Sequence, residues 1–519
     1  MTQTTVRRLG VAALLVLPLL TSGCAWIARA SVDTTGGDAN SGSEQPAISA
    51  DGRYVAFVSS ANDLVPEDGT GPPEGFDVFV RDLRTRVTTR ASVDTAGGDP
   101  DAPSGQVSIS ADGRYVAFLS SATDLVSSDG NGFSDVFVRD LQLGITVRVS
   151  LDQAGGDLDG NSLWASISAD GRSVAFASEA TDLVSDDGNG FSDVFVRDLQ
   201  TGTTTRASVG MSGGDADGTS DRPSISADGR YVAFQSNAFF VPEYGGCLCV
   251  YVRDLQQGVT IGVPQDFNEI ENQFGPSISA DGRHVAFNSH VINKGQFVYV
   301  HDLQTGLTRQ VSVDIDGGDP DDISAGPSLS GDGRYVAFHS EASDLVMGGT
   351  HTFEVYVRDM QTDTTLRASA SPLGVPSGFA TFPSLSADGR YIAFVSRSDK
   401  LAGPEPSGFD DVFVRAVILP TIDAVNPTTI ARGSTETFSL TGANFAPDAF
   451  VWAGTASGLE SGVTVDSVTV VSDTQLEVSI TVAADVAMEA LQIFVINPGP
   501  GPGRVRGSAG LCDPCPTIT

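Results

Sequence analysis

The pattern (Ser/Ala)-x-Ser-x-Asp-Gly-Arg-x-(Val/Ile)-Ala-Phe occurs seven times in this chain, with its Asp at positions 51, 112, 170, 228, 281, 332 and 388. Self-similarity at this period marks one supersecondary unit used repeatedly, and a unit that cannot bury its apolar faces alone must stack on its neighbours. Each copy continues through a second run such as Asp135-Val136-Phe137-Val138-Arg139-Asp140. A Thr-Gly turn follows (Thr201-Gly202, Thr305-Gly306), then Thr-Thr-Arg-Ala-Ser-Val. Short β-branched and aromatic runs between turn residues read as four strands, A to D, joined as a meander, with strand A over Pro-Ser-Ile-Ser. Strand B, as in Tyr54-Val55-Ala56-Phe57-Val58, is apolar on both alternating faces, which suits a sheet covered on each side by another. The expected fold class is all-β, a seven-bladed β-propeller.

The seventh copy has strands A to C, ending near Asp411-Val412-Phe413-Val414-Arg415, and then runs into Pro420 without a strand D. Residues 28–38, Ala-Arg-Ala-Ser-Val-Asp-Thr-Thr-Gly-Gly-Asp, nearly duplicate residues 89–99, which end the first blade. The propeller, residues 28–418, is therefore expected to be closed by an N-terminal strand that completes blade seven and removes the open sheet edges.

Ahead of it, Arg7 and Arg8 precede an apolar stretch over residues 9–20, and Thr21-Ser22-Gly23-Cys24 follows, so residues 1–24 read as an export signal. Small residues before a Cys resemble the lipoprotein signal box, which implies acylation of Cys24 and a membrane contact made only through a lipid anchor. The alternative is cleavage after Ala28-Arg29-Ala30 and secretion, which would cut into the closing strand. No other run approaches membrane length. A formal charge of −35 repels phosphate backbones and excludes a nucleic-acid partner. With Cys24 acylated, Cys247, Cys249, Cys512 and Cys515 remain to pair in an oxidising compartment.

The repeats resemble the TolB-like, WD40-like propeller repeats of bacterial envelope proteins, over residues 28–418. The Trp-Asp and Gly-His signatures of eukaryotic WD40 repeats are absent. The resemblance implies function through protein contacts at the envelope. The N-terminal domain found in that family has no counterpart here, so a Tol-type role is not expected. Residues 420–498 lose the repeat and alternate as short strands around Leu440-x-Gly442-x-Asn444-Phe445 and Thr474 to Ile480, which reads as a small β-sandwich. This pattern resembles the IPT/TIG immunoglobulin-like modules, spacers or binding modules in exported proteins. Residues 499–519 form a Pro/Gly-rich tail whose Cys512-x-x-Cys515 is expected as a disulfide.

Chemistry is expected on one face of the disc, where the B–C and D–A loops emerge. Asp129-Gly-Asn131-Gly-Phe-Ser-Asp135 and Asp187-Gly-Asn189-Gly-Phe-Ser-Asp193 place oxygen ligands at spacings a Ca²⁺ ion accepts, so Asp129, Asn131, Asp135, Asp187, Asn189 and Asp193 are candidate metal ligands. The competing reading is ordinary turn chemistry, the Asp opening strand C bonding the loop backbone. Blade one, with Glu67, Asp68 and Asp77 in a longer loop, fits a metal poorly. All five His fall between positions 284 and 351, and His284 and His301 replace other residues in repeated slots. No nucleophile elbow, phosphate loop or His-Glu-x-x-His is present. The expectation is a non-catalytic binding or scaffold protein whose acidic loop face meets a protein or glycan partner at the envelope. The alternative is a propeller enzyme acting on polysaccharide or peptide.

Overall fold

The computed structural model describes residues 26–66, 75–211, 213–241, 248–264, 270–371, 374–401, 408–418, 420–446, 449–455, 462–486, 490–498, 507–511 and 517–518. The export signal with Cys24, the loop acids Glu67 and Asp68, and Cys247, Cys512 and Cys515 lie outside the described residues. The chain divides into two compact units, one of Ala28–Ser371 with Val375–Val414, the other including everything from Arg415. No helix of the described residues is long and apolar enough to cross a membrane.

Seven four-stranded sheets follow one another along residues 27–416. In the first, strands A (Ser43–Ile48), B (Tyr54–Ser59), C (Asp77–Asp82) and D (Val87–Arg90) pair antiparallel in chain order. The seventh consists of Ala380–Leu385, Tyr391–Ser396 and Asp411–Ala416, with Ile27–Arg29 beside strand C in the place of strand D. Strand A begins earlier than Pro-Ser-Ile-Ser. In repeat four it runs Ser220–Ile225 and contains Pro223. A bulge just before the Ser accounts for this, since it removes the ladder bond that the proline could not donate.

Each position of the motif has a visible task. The hydroxyl of Ser49 donates to Asp51 at 2.8 Å and accepts the Tyr54 N–H at 2.9 Å, which locks the A–B turn. The first Ser reaches the next sheet, Ser108 accepting the Ile167 N–H at 3.1 Å and Ser384 the Ile48 N–H at 3.2 Å. Gly113 sits at φ +73° against the ring of Tyr54, and Gly52 against that of Tyr391, where a Cβ would collide. The motif Arg pairs with the Asp that ends strand C, Arg53 with Asp82 at 2.6 Å and Arg230 with Asp254 at 2.6 Å. These pairs are part-exposed, so water screens them and they add little to stability.

Strand B carries the packing. Val55, Ala56, Phe57 and Val58 are almost wholly buried, and Ala56, Val78 and Val80 of the first sheet cluster with Val116, Phe118 and Phe137 of the second. Backbone bonds link the A–B turns in series, from the Ala50 N–H to the Ala111 carbonyl (3.1 Å), Ala111 to Ala169 (2.9 Å), Ala169 to Ala227 (3.1 Å), Ala227 to Ala280 (3.0 Å), Ala280 to Gly331 (3.0 Å) and Gly331 to Ala387 (2.8 Å). The Asp388 N–H then points back to the Ala50 carbonyl at 3.3 Å.

In the second unit, the sheet built from Thr421–Asn426, Ser434–Ala443, Gln475–Val482 and Val463–Ser472 shares one core with a sheet of Phe450–Thr455, Leu491–Pro498 and Gly507–Leu511. Phe438, Leu440, Leu476 and Val478 come from the first sheet, Val451, Ile493 and Val495 from the second, and all are buried. This is a β-sandwich.

Candidate functional site

The six loop residues chosen by spacing come together in two matching clusters, each with an arginine in it. In repeat two, Nη1 of Arg148, the last residue of strand D, lies 3.0 Å from Asp129 and 3.5 Å from Asp135, and Nη2 lies 2.7 Å from Asp157. Asn131 donates to Asp135 at 3.2 Å and to the Leu158 carbonyl at 3.4 Å, and it accepts the Phe133 N–H at 2.9 Å. Ser150 donates to Asp135 at 2.6 Å and accepts the Val136 N–H at 2.9 Å. In repeat three, Nη1 of Arg206 lies 2.5 Å from Asp215, 3.6 Å from Asp187 and 3.9 Å from Asp193, while Asn189 donates to Asp193 at 2.8 Å. Among the described residues, no three carboxylate, His or Cys side chains are spaced to hold a metal ion.

Burial pushes the carboxyls of Asp129, Asp135 and Asp193 above the usual range. Burial and then the charge of Asp193 push Asp187 up to about 6. The Asp187 side chain is 2% exposed, and neither of its oxygens accepts a hydrogen bond.

The acid that opens strand C and the arginine that ends strand D come and go together within the chain. Asp77 faces Arg90, and Asp411 lies 3.5 Å from Arg29. Repeat four has Cys249 and Gly262 at these two places, and repeat five has Phe297 and Gln310. Gln273 then takes over the serine's task in repeat four and accepts the Val250 N–H at 3.1 Å, as Ser150 accepts that of Val136. Cys249 itself is disulfide-bonded. His301 fills an arginine slot in the same manner. It is 2% exposed, and its Nδ1 lies 2.9 Å from the Thr308 hydroxyl, the contact Arg139 makes with Thr146 at 3.0 Å.

The inner strands hold a second arrangement, missed by the spacing argument. Every strand A carries a bulge, and in each the same position has positive φ: Gln45 (50°), Gln106 (49°), Trp164 (59°), Arg222 (49°), Gly275 (61°), Gly326 (65°) and Phe382 (51°). A left-handed conformation costs about 1–3 kcal/mol at a non-glycine residue, so the surrounding sheet has to enforce it. All seven line one cavity of about 750 Å³ within the propeller unit. Some are held by their neighbours: the side-chain Oε1 of Gln45 accepts the Gln106 N–H at 2.9 Å, and that of Gln106 the Trp164 N–H at 2.9 Å. In repeats five and six the amide comes from strand B of the preceding repeat, Gln235 accepting the Gly275 N–H at 2.8 Å and Asn288 the Gly326 N–H at 3.0 Å.

The backbone is thus alike in the seven strands A, whereas the side chains are not. Trp164 has the guanidinium of Arg222 stacked 4.1 Å from its ring centre. Phe382 is 51% exposed. Gly326 leaves room for the imidazole of His339, whose Cε1 would lie 2.7 Å from an added Cβ. His339 also meets the edge of Phe353 at 5.4 Å, its Nδ1 is buried without a hydrogen bond, and burial pushes its pKa down to about 4. The sequence signal was present. The two residues preceding the motif's first Ser read Gln45-Pro, Gln106-Val, Trp164-Ala, Arg222-Pro, Gly275-Pro, Gly326-Pro and Phe382-Pro, a variable residue and most often a proline.

No protein-family model and no curated protein matches the chain. Among solved structures it is similar to TolB from Acinetobacter baumannii, at 17% identity and TM-score 0.34, over 56% of this chain and 59% of that one. The chain therefore spans about three fifths of that TolB's length. It is also similar to an oligogalacturonate lyase from Vibrio parahaemolyticus, at 11% identity and TM-score 0.47, over 76% of this chain and 97% of that one. A third likeness is to the β-propeller domain of the Trilobed protease from Pyrococcus furiosus, at 11% identity and TM-score 0.42, over 75% of this chain and 95% of that one. The all-β, propeller-type fold of this chain rests on its own sheet order and on the bonds between its sheets.

Proposed function

We propose that this chain is an exported, non-catalytic binding protein, a closed seven-bladed propeller whose central cavity takes up a ligand. One observation carries the reading: seven equivalent left-handed positions, strained at the five that are not glycine, hold two Gln, a Trp, an Arg, two Gly and a Phe toward one cavity. A purely structural slot would repeat its side chain, as the turn glycines and the Arg–Asp pairs do, and strain kept at unequal residues is a mark of function. Closure is supported by the contacts of Ser384 with Ile48, Tyr391 with Gly52 and Asp388 with Ala50. Binding is favoured over catalysis because, among the described residues, Arg222 and His339 are the titratable side chains lining the cavity, and an imidazole of pKa about 4 is a weak base at neutral pH.

Anchoring at the envelope through Cys24 belongs to the same proposal. Ile27–Arg29 pairs in the seventh sheet, so cleavage after Ala30 would remove a strand, whereas cleavage before Cys24 spares it. Residues 420–498 serve as an IPT/TIG-like spacer. The acidic loops are braces whose counter-charge is arginine, and Ca²⁺ is not required for folding.

The test is a thermal-shift screen of a mixed library of metabolite-sized compounds. Hits that raise the midpoint of the native protein and are lost in a Trp164→Ala/Phe382→Ala variant of unchanged basal midpoint support the cavity. Hits indifferent to that variant refute it.

A further inference from the structure

Resting on the cavity reading above, we propose that the ligand is a small carboxylate borne on a six-membered ring, its carboxylate on Arg222 and its ring face on Phe382. The first observation is the state of Arg222. It forms no salt bridge among the described residues, is exposed, and is stacked 4.1 Å over Trp164 in a chain of formal charge −35. Stacking uses the flat face of a guanidinium and leaves its in-plane N–H fork free. That fork matches a carboxylate bidentately.

The second is a bias in what the polar lining still offers. The carbonyl oxygens of Gln235 and Asn288 are occupied by the backbone N–H groups of Gly275 and Gly326. The amide hydrogens of Gln45 and Gln235 are likewise turned to Glu44 and Asp221, so the charged donor left to a guest is the Arg222 fork, which calls for an acceptor. The third is His339, whose imidazole fills the space that Gly326 leaves and, kept neutral by its burial, sets no second charge beside Arg222. The fourth is Phe382, an aromatic left 51% exposed although the sheet strains its backbone to hold it at φ 51°. A ring face laid on it would bury that surface. A volume of about 750 Å³ admits a guest of this size.

An aromatic acid and a uronic acid share this chemistry, so the experiment pairs each with a neutral analogue. Calorimetric titration of the purified full chain compares benzoate with benzamide and glucuronate with glucose. In at least one pair the anion is expected to bind at least about tenfold tighter than its neutral partner, the worth of one charge-assisted hydrogen bond. The pair showing this names the source. Arg222→Gln should abolish the ratio with the melting midpoint unchanged, Arg222→Lys should keep part of it, and Phe382→Ala should weaken both members. Equal binding within both pairs, a ratio that survives Arg222→Gln, or no binding of any of the four up to about 10 mM would overturn the carboxylate assignment. The library screen decides the cavity separately. Neutral compounds that lose binding in the Trp164/Phe382 variant would leave the cavity standing and the carboxylate fallen.

Discussion

Arg148 and Arg206 stand where the loop spacing puts a metal ion. Asp-x-Asn-x-x-x-Asp offers oxygen atoms to whatever positive charge lies between them, and nothing in those seven residues says whether it is a cation from solution or a guanidinium from 13 residues downstream. The clue lay between repeats, in the joint loss of acid and arginine in repeats four and five. Two predictions follow from Arg148 and Asp187. Replacing Arg148 by Gln strands Asp129 and Asp135 as unpaired buried carboxylates, which should destabilise the protein by about 3–5 kcal/mol in urea titrations. The native midpoint should not change between EDTA and millimolar Ca²⁺, whereas that of Arg148→Gln should rise with Ca²⁺. A native protein that responds to Ca²⁺ would favour the metal reading over the arginine brace. Asp187 is the pH-sensitive member. Its folded pKa of about 6 lies above the ordinary 3.8, so the folded state holds the proton more tightly and stability falls as pH rises between these values. A shift of this size is worth roughly 3 kcal/mol. Asp187→Asn should therefore equal the native protein near pH 3.5 and exceed it by up to that amount at pH 7. A constant difference across that range would contradict it.

The strand-A bulges belong to the scale of the element, and the alternation rule could not reveal them. A bulge adds one residue without changing the type of its neighbours, so a period-2 pattern read from Ser-x-Ser runs smoothly up to the proline and stops there. Strands B and C, with regular registers and apolar centres, were legible throughout. The bulge position in repeat six can be tested against its neighbour. Gly326→Ala meets two penalties, a non-glycine residue at φ +65° and a Cβ 2.7 Å from His339 Cε1. The expected loss is about 1–3 kcal/mol in equilibrium unfolding. His339→Ala removes the second penalty but not the first. The double variant should therefore lose less than the sum of the singles, with a coupling of about 0.5 kcal/mol or more. Strict additivity would mean that the imidazole does not occupy the space the glycine leaves.

At the scale of the whole molecule, seven copies of one motif make the sheet order legible before any coordinates, and the duplicated Ala-Arg-Ala-Ser-Val points to where the ends meet. What the motif leaves open is how much of the seven-sheet array depends on so short a strand as Ile27–Arg29. The surrounding bonds give the answer a definite form. The Ala30 N–H bonds the Val412 carbonyl at 2.7 Å, the Ser31 hydroxyl donates to Asp411 at 2.8 Å and accepts the Val412 N–H at 3.0 Å, and Arg29 pairs with Asp38 and Asp411. A chain starting at Val32 would leave strand C of the seventh sheet as an unpaired edge, with Asp411 buried and without its hydroxyl and guanidinium partners. Such a chain should melt below one starting at Ala25, by about 2 °C or less for each 1 kcal/mol lost in a ring of this size. It should also associate through its open edge, seen as a concentration-dependent rise in mass by light scattering. Adding the peptide of residues 25–38 in excess should restore both the midpoint and the monomer, because the missing element is a separate strand and nothing else in the sheet has changed. If the shortened chain melts and sediments like the longer one, the sheets are held by their turn-to-turn bonds alone and the N-terminal strand only decorates the seventh.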